Sequence, residues 1–551
     1  MGNISRALGI ALLACVLSTA ADATNYFVSA SKGSDSNAGT SSSAPWQTIN
    51  KVNGFKFNTS DSVYFLVGDT WQNQFMTVNW SGTTVNPVVI GAYYINSSGN
   101  LVLGPGSGNA RPIIDDNYQW DGSPMANSPS CTGCNSGIWV QGNYVTIENI
   151  EVEQSGYGIL AQSTNGTAVQ NTTISNVFID GAFQCGMEAE NVNTLTIQNS
   201  EIYNAEDFKN PATFNQGGNW CSSIGVQHGN TILIQNNYIH QSWGEGTDVF
   251  NGSSNAIIRN NIYYANWAVG IYLDTANGAE VYGNMILGTP NSAFWRFSDA
   301  VGPGITLNNE QYEFYGCTVS SCGNPGAPGT GSLCPLGVYG NYTGSGTNTL
   351  CPNVLQNVNI YDNLVADTVG GIDVWGSSYF DAYPNVQVFN NTLVDNDDGI
   401  SLGNQRAATN FVVQNNIFLS ITSGTLDKTG TNNGISFNTN YWSQGVPAAV
   451  GGAFASTTDV YSGIALNQMS GWRSMSTLAT SQDFAPTSSS STLGRGNSSG
   501  LFFSTDYYGN ALHNPVDLGA IAGTSTGISA TVTPNPAQPG QSVTVNASIN
   551  P

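Results

Sequence analysis

The sequence predicts an all-β chain wound as a parallel β-helix, a solenoid of short strands carrying a disulfide-rich loop insertion, and three observations support that expectation. A repeat of 23 to 28 residues runs from about residue 137 to about 418; each repeat consists of short strands in which apolar and polar residues alternate; and one turn returns to Asn at a fixed place. A unit of that size cannot bury its own apolar face and must stack on its neighbours. A β-sandwich would instead show hairpin signals every ~8–12 residues, and these are missing.

The repeats are clearest at Ile232-Leu-Ile-Gln-Asn-Asn-Tyr-Ile-His, Ile257-Ile-Arg-Asn-Asn-Ile-Tyr-Tyr, Val358-Asn-Ile-Tyr-Asp-Asn-Leu-Val and Phe411-Val-Val-Gln-Asn-Asn-Ile-Phe. In register they align Asn237, Asn261, Asn284, Asn363, Asn391 and Asn416. Recurrent Asn suits a stacked amide ladder, because Asn tolerates the left-handed conformation and its side chain can bond the next coil. Each coil also holds a strand that starts at Gly, as in Gly158-Ile-Leu-Ala-Gln, Gly186-Met-Glu-Ala-Glu, Gly246-Thr-Asp-Val-Phe, Gly270-Ile-Tyr-Leu-Asp and Gly371-Ile-Asp-Val-Trp. Alternation sends Ile159, Met187, Val249, Ile271, Leu273, Ile372 and Val374 inward and their neighbours outward. Two insertions interrupt the coils, Ala205 to Ser222 and about Thr289 to Leu355; the second is rich in Cys, Gly and Pro.

The ends read differently. Residues 1–23 have a basic start, an apolar run from Ala7 to Leu17 and the site Ala21-Asp22-Ala23, the layout of a secretory signal peptide. Cys15 would suit a lipoprotein site, but apolar residues continue past it. Export to the periplasm or the medium is therefore expected, with no membrane span. The β-helix domain should then occupy residues 24–523, with an N-terminal cap to about 136, coils to about 440 and a closing segment after them. Residues 524–551 read as a linker and the first strand of an unfinished β-sandwich-like module.

Composition narrows the partners. The net charge is -23 with only 12 Lys and Arg, so no basic surface can neutralise phosphates and nucleic acid is excluded as a partner. A densely anionic polymer would need a bridging cation, whereas a neutral or lightly charged glycan would not. Nothing in the pattern asks for a second subunit, and a monomer is expected. The eight cysteines after the leader, an even number in an exported chain, predict disulfides whose connectivity the sequence leaves open; a local pair such as Cys185 with Cys221 would staple one loop. Cys131-x-x-Cys134 is the one tight pair, and with three His in the chain a zinc site is disfavoured.

Tyr26-Phe-Val-Ser-Ala-Ser-Lys-Gly-Ser-Asp-Ser-Asn-Ala-Gly-Thr with Ala44-Pro-Trp-Gln-Thr-Ile resembles the opening of exported right-handed parallel β-helix proteins of the pectate-lyase-like superfamily. Asp506-Tyr-Tyr-Gly-Asn with Val516-Asp-Leu-Gly-Ala is similar to their closing segment. The resemblance implies a carbohydrate laid along one sheet and leaves the reaction open, since lyases, hydrolases, epimerases and adhesins share the fold. The Asn-Thr-Asp, Gly-Asp-Asp and Gly-His-Gly signals of polygalacturonases and the Asp-Pro-His-Asp of mannuronan epimerases are absent.

Catalytic roles must therefore come from geometry. The outward positions of the Gly-started strands are Trp139 and Gln141, Leu160 and Gln162, Glu188 and Glu190, Gly225 and Gln227, Asp248 and Phe250, Tyr272 and Asp274, and Asp373 and Trp375. Acids interleaved with aromatic rings on one face suit sugar binding and acid–base chemistry. Asp248 and Asp274, on adjacent coils and offset by two residues, should stand roughly 8 Å apart, in the window of an inverting glycosidase. Glu188 and Glu190 should raise each other's proton affinity. Glu245, at the turn before Asp248, could lean over the groove; Glu310, in the long insertion, could cap it; His228 and Gln227 could orient a carboxylate or a sugar hydroxyl.

The first expectation is thus hydrolysis by two carboxylates, with no cofactor required. The alternative is calcium-dependent β-elimination on a polyuronate, with Glu188, Glu190 and Asp248 as calcium ligands and Lys209 as the base. Arg259 falls on another strand and Arg296 in the second insertion, and an acidic setting raises rather than lowers a lysine pKa. A non-catalytic adhesin would use the rings and leave the acids idle.

Overall fold

A computed structural model describes residues 23–118, 135–210, 221–297, 300–309, 340–342, 349–351, 355–375, 382–403, 407–419, 424–428, 434–443, 456–472, 475, 478–523, 528–533 and 544–549. The expected leader, the Cys131 and Cys134 pair, Glu310 and the cysteines at 317, 322 and 334 lie outside these residues.

Three long sheets run the length of the coils, and in each the strands follow one another in chain order. One sheet contains Asn230–Gln235, Ser254–Arg259 and Val358–Tyr361; the second contains Tyr238–His240, Ile262–Tyr264 and Leu364–Ala366; the third contains the Gly-started strands, including Met187–Glu190, Ser222–Gln227, Glu245–Phe250 and Ile271–Asp274. Neighbouring coils pair in parallel, so every coil contributes one strand to each wall. The expected inward residues fill the solenoid: Ile159, Val249, Ile271, Leu273, Ile372 and Val374 have no exposed surface and Met187 has almost none. They join one continuous core from Tyr26 to Trp442.

The corner before each third-sheet strand explains its glycine. A β-carbon on Gly246 would overlap the Gly270 carbonyl of the next coil and lie 2.6 Å from the Tyr263 ring of the second sheet. Two successive residues turn inward there, which seats Thr247 against the Tyr263 hydroxyl at 2.9 Å.

The amide ladder forms at the aligned positions. The Asn237 amide donates to Asn261 Oδ1, Asn261 to Asn284, Asn284 to Asn363, Asn363 to Asn391 and Asn391 to Asn416. Asn440 extends it, and Asp459 ends it by accepting the Asn440 backbone N–H at 2.7 Å. The sequence reading gave one Asn both jobs, but the structure divides them. The residue before the ladder Asn takes the left-handed conformation, as at Asn236 (φ 56°), Asn260 (φ 56°) and Asn415 (φ 60°).

Two expectations are corrected. The second insertion does not begin at Thr289, because Ile305–Asn308 is a further third-sheet strand between Ile271–Asp274 and Gly370–Val374. At the C-terminus, Ile528–Thr533 pairs antiparallel with Thr544–Ile549, so that segment holds a hairpin rather than a single strand. No helix among the described residues is long and apolar enough to cross a membrane.

Candidate active site

The outer face of the third sheet carries a groove of 820 Å³, whose lining includes Glu188, Glu190, Glu245, Asp248, Asp373, Gln227, Phe250, Tyr272 and Trp375. Parallel register arranges these side chains in rows. One row runs Trp139, Leu160, Glu188, Gly225, Asp248, Tyr272, Thr306 and Asp373. A second places Glu190 beside Gln227 and Gln227 beside Phe250.

Gly225 gives the first row its chemical character. A β-carbon there would overlap Glu188 Oε2, so the Glu188 carboxyl lies across the gap left by the missing side chain. It reaches over one coil toward Asp248, the next residue in the row. No side chain on Gly225 stands between these two neighbours in the row. Gln227 Nε2 holds Glu188 Oε1 at 3.0 Å, and Gln162 donates in turn to Glu190.

Two of the groove acids, Glu188 and Glu245, are buried and hold their protons more tightly than usual. Burial pushes Glu188 up to about 8, with the Glu190 charge adding to it and the Gln227 hydrogen bond opposing it. Glu245 also rises to about 8, first by burial and then through Glu206, against the Ser222 hydrogen bond and Lys209; Asp274 adds a further push. Ser222 Oγ donates to Glu245 Oε2 at 3.0 Å. Asp248 is 4% exposed at the groove floor. Two carboxyls with raised proton affinity thus share the groove with Asp248, a combination suited to proton donation beside a nucleophile or base.

Several expected positions fall elsewhere. Asp274 has no exposed surface and does not line the groove. It pairs with Asn308 of the next coil, whose side-chain amide donates to the Tyr272 hydroxyl at 2.7 Å. Asp274 thus does not join Asp248 on the groove lining, where their spacing was expected to place both. Trp139 stands in the correct row but beyond the lining, with its indole N–H donating to the Gln162 carbonyl at 3.0 Å. His228 occupies the left-handed turn after its strand (φ 51°), also outside the groove.

Lys209 is not placed as a base. Its ammonium lies 3.3 Å from Glu206 Oε2, almost fully buried, and over the Trp267 ring. Among the described residues the one trio of candidate metal ligands with donor atoms all within 4.8 Å is Cys185, Glu188 and Cys221. Glu188, Glu190 and Asp248 do not converge as a calcium cage. The groove also takes residues the sequence reading missed: Tyr157, Ser222, Arg296, Phe297, Thr306 and the disulfide-bonded Cys185 and Cys221. Thr306 was readable, since Gly304-Ile-Thr-Leu-Asn repeats the strand signature; Arg296 and Phe297 sit in irregular chain that no period marks.

A family model described as the right handed beta helix region matches residues 213–378. The fold is the right-handed parallel β-helix. A lacto-N-biosidase of Bifidobacterium longum subsp. longum is 28% identical over 145 residues, which is 24% of this chain and 8% of that enzyme. The matched segment is thus a small part of the relative's length. Among solved structures, a lacto-N-biosidase from Eubacterium ramulus is similar with 13% identity and a TM-score of 0.35, covering 66% of this chain and 65% of that one. Pectate lyase Pel9A is similar with 16% identity and a TM-score of 0.46, covering 91% of this chain and 96% of that one.

Proposed function

We propose that this chain is an exported glycoside hydrolase that cuts a neutral or lightly charged glycan lying across the third sheet, with Glu188 as general acid and Asp248 as nucleophile. The observation that carries the reading is the slot over Gly225, which sets the Glu188 carboxyl on the strand next to that of Asp248; on this reading the two carboxyls meet at about one strand spacing, roughly 5 Å. Carboxyls about 5–5.5 Å apart suit a retaining mechanism, while inversion needs about 6.5–9.5 Å to admit water. Glu188 protonates the leaving oxygen as Asp248 attacks the anomeric carbon; Glu188, now ionised, then draws a proton from the water that releases the sugar. Glu245, beside the nucleophile, donates a hydrogen bond to the sugar.

The bonding of the rings agrees with a sugar ligand. Trp375 is 48% exposed and Phe297 43%, both at the groove wall, and exposed aromatic faces of this size stack on sugar rings. The similarity to lacto-N-biosidases supports a glycosidase but does not name the substrate. The mechanism requires no metal, so chelators should leave the rate unchanged. Elimination on a polyuronate is the second reading: Lys209 is engaged by Glu206, and its base would have to be Arg296, the one Lys or Arg among the described groove residues.

The test is a panel of neutral and uronic glycans digested by the wild type and by Asp248→Asn. New reducing ends without ultraviolet absorbance from unsaturated uronates, lost in the variant, support hydrolysis. Unsaturated ends would establish a lyase, and binding without cleavage would establish an adhesin.

A further inference from the structure

Most of the groove is accounted for by sugar binding and proton transfer, but one of its elements is not. The Cys185–Cys221 disulfide forms part of the lining, directly beside the acid. The sulfurs of Cys185 and Cys221 and a Glu188 carboxyl oxygen all lie within 4.8 Å of one another.

We propose that reduction of this disulfide turns Cys185, Cys221 and Glu188 into a site for a thiophilic divalent cation of the zinc class, and that an occupied site switches the groove off. The second half rests on the hydrolase reading above; the first does not.

The scaffold holds the sulfurs together without the bond. Met187 pairs with Ile224 in the parallel register of neighbouring coils, which sets Cys185 beside the start of the strand that Cys221 precedes. Their Cα atoms are 5.4 Å apart. A tetrahedral ion with Zn–S of about 2.3 Å and Zn–O of about 2.0–2.2 Å needs ligand–ligand edges of roughly 3.4–3.8 Å, so shifts of about an ångström complete the site. Gln227, 3.0 Å from Glu188 Oε1, orients the carboxylate as outer partners commonly do. All three residues line the groove, so the fourth coordination position opens toward the substrate.

The chemistry balances with a dithiol reductant. Two electrons and two protons pass from the dithiol to the Cys185–Cys221 bond, giving two thiols and one oxidised reductant. The cation then displaces the two thiol protons and the Glu188 proton to solvent. With its proton gone and both lone-pair directions drawn to the ion, Glu188 can no longer protonate a leaving group.

The test uses the full-length protein, oxidised or reduced with a dithiol and desalted under nitrogen, titrated with cobalt(II) as a spectroscopic stand-in for zinc. The expected result is thiolate-to-cobalt charge-transfer absorbance in the reduced protein, its signal from this site removed by Cys185→Ser and by Cys221→Ser. Glu188→Gln, which folds with the disulfide intact, should weaken cobalt binding about tenfold or more. Zinc should inhibit glycan cleavage by the reduced protein and spare the oxidised one. The same cobalt spectrum in reduced wild type and both serine variants, or none in reduced wild type, overturns the proposal. If cobalt binds as described but neither form cleaves any glycan, the metal site stands and the hydrolase reading falls.

Discussion

Glu188→Gln separates the electrostatics of the groove from its shape. The side chain is 9% exposed, and burial moves its carboxyl from 4.5 to about 8. The difference, 8 − 4.5, is about 3.5 pH units, which at 1.36 kcal/mol each amounts to an upper bound of about 5 kcal/mol. The direction follows from proton counting. Below pH 4.5 the carboxyl is protonated in both the folded and unfolded chain, and its contribution to stability is intact. Between pH 4.5 and 8 the unfolded chain releases the proton while the folded one holds it, so stability falls as pH rises and the loss is complete above 8. Gln has nearly the same shape and can still bond Gln227, but it has no proton to lose. The variant should therefore match the wild type near pH 4.5 and exceed it progressively up to pH 8.5, in denaturant midpoints converted with a shared slope. Activity should move the opposite way, falling about 10²–10⁴-fold at every pH with the loss of the general acid. Parallel stability curves for the two proteins across that range would refute the claim that the folded groove keeps this carboxyl protonated.

Other outcomes follow from individual contacts. Gly225→Ala should fold but place a methyl where Glu188 Oε2 lies, cutting kcat by about 10²-fold through misplacement of the acid; steady-state kinetics read it. Trp375→Ala should raise KM roughly tenfold, worth about 1–1.5 kcal/mol of ring stacking, with kcat little changed. Asn284→Ala removes the acceptor used by Asn261 and the donor to the Ile258 carbonyl and Asn363. Leaving those buried groups unpaired should cost about 3–6 kcal/mol, seen as a lower denaturant midpoint and faster amide exchange in the flanking coils.

The architecture was open to sequence reading because stacking enforces period and alternation. The Asn237 to Asn416 series sits where its spacing put it, and the inward residues Ile159, Val249 and Ile372 are buried as alternation requires. The site was readable only as far as that periodicity extends. Glu188, Asp248 and Tyr272 face one groove because register fixes which wall each residue joins. Register does not show how a side chain bends, and so the reading missed the reach of Glu188 over Gly225 and the bond from Asn308 to the Tyr272 hydroxyl. Both depend on a neighbouring coil's residue, one too small and one large enough to bridge. Phe297 and Arg296 entered from an insertion, where chain path rather than pattern decides what touches the groove.

The most direct test of the account follows the anomeric signal of the first sugar released, by proton NMR, on the best substrate of the glycan panel. With Glu188 and Asp248 meeting at about one strand spacing on this reading, the product should appear first in the anomeric form of the bond that was cut and only later mutarotate. First appearance of the opposite anomer would show that these two carboxyls are not the reacting pair.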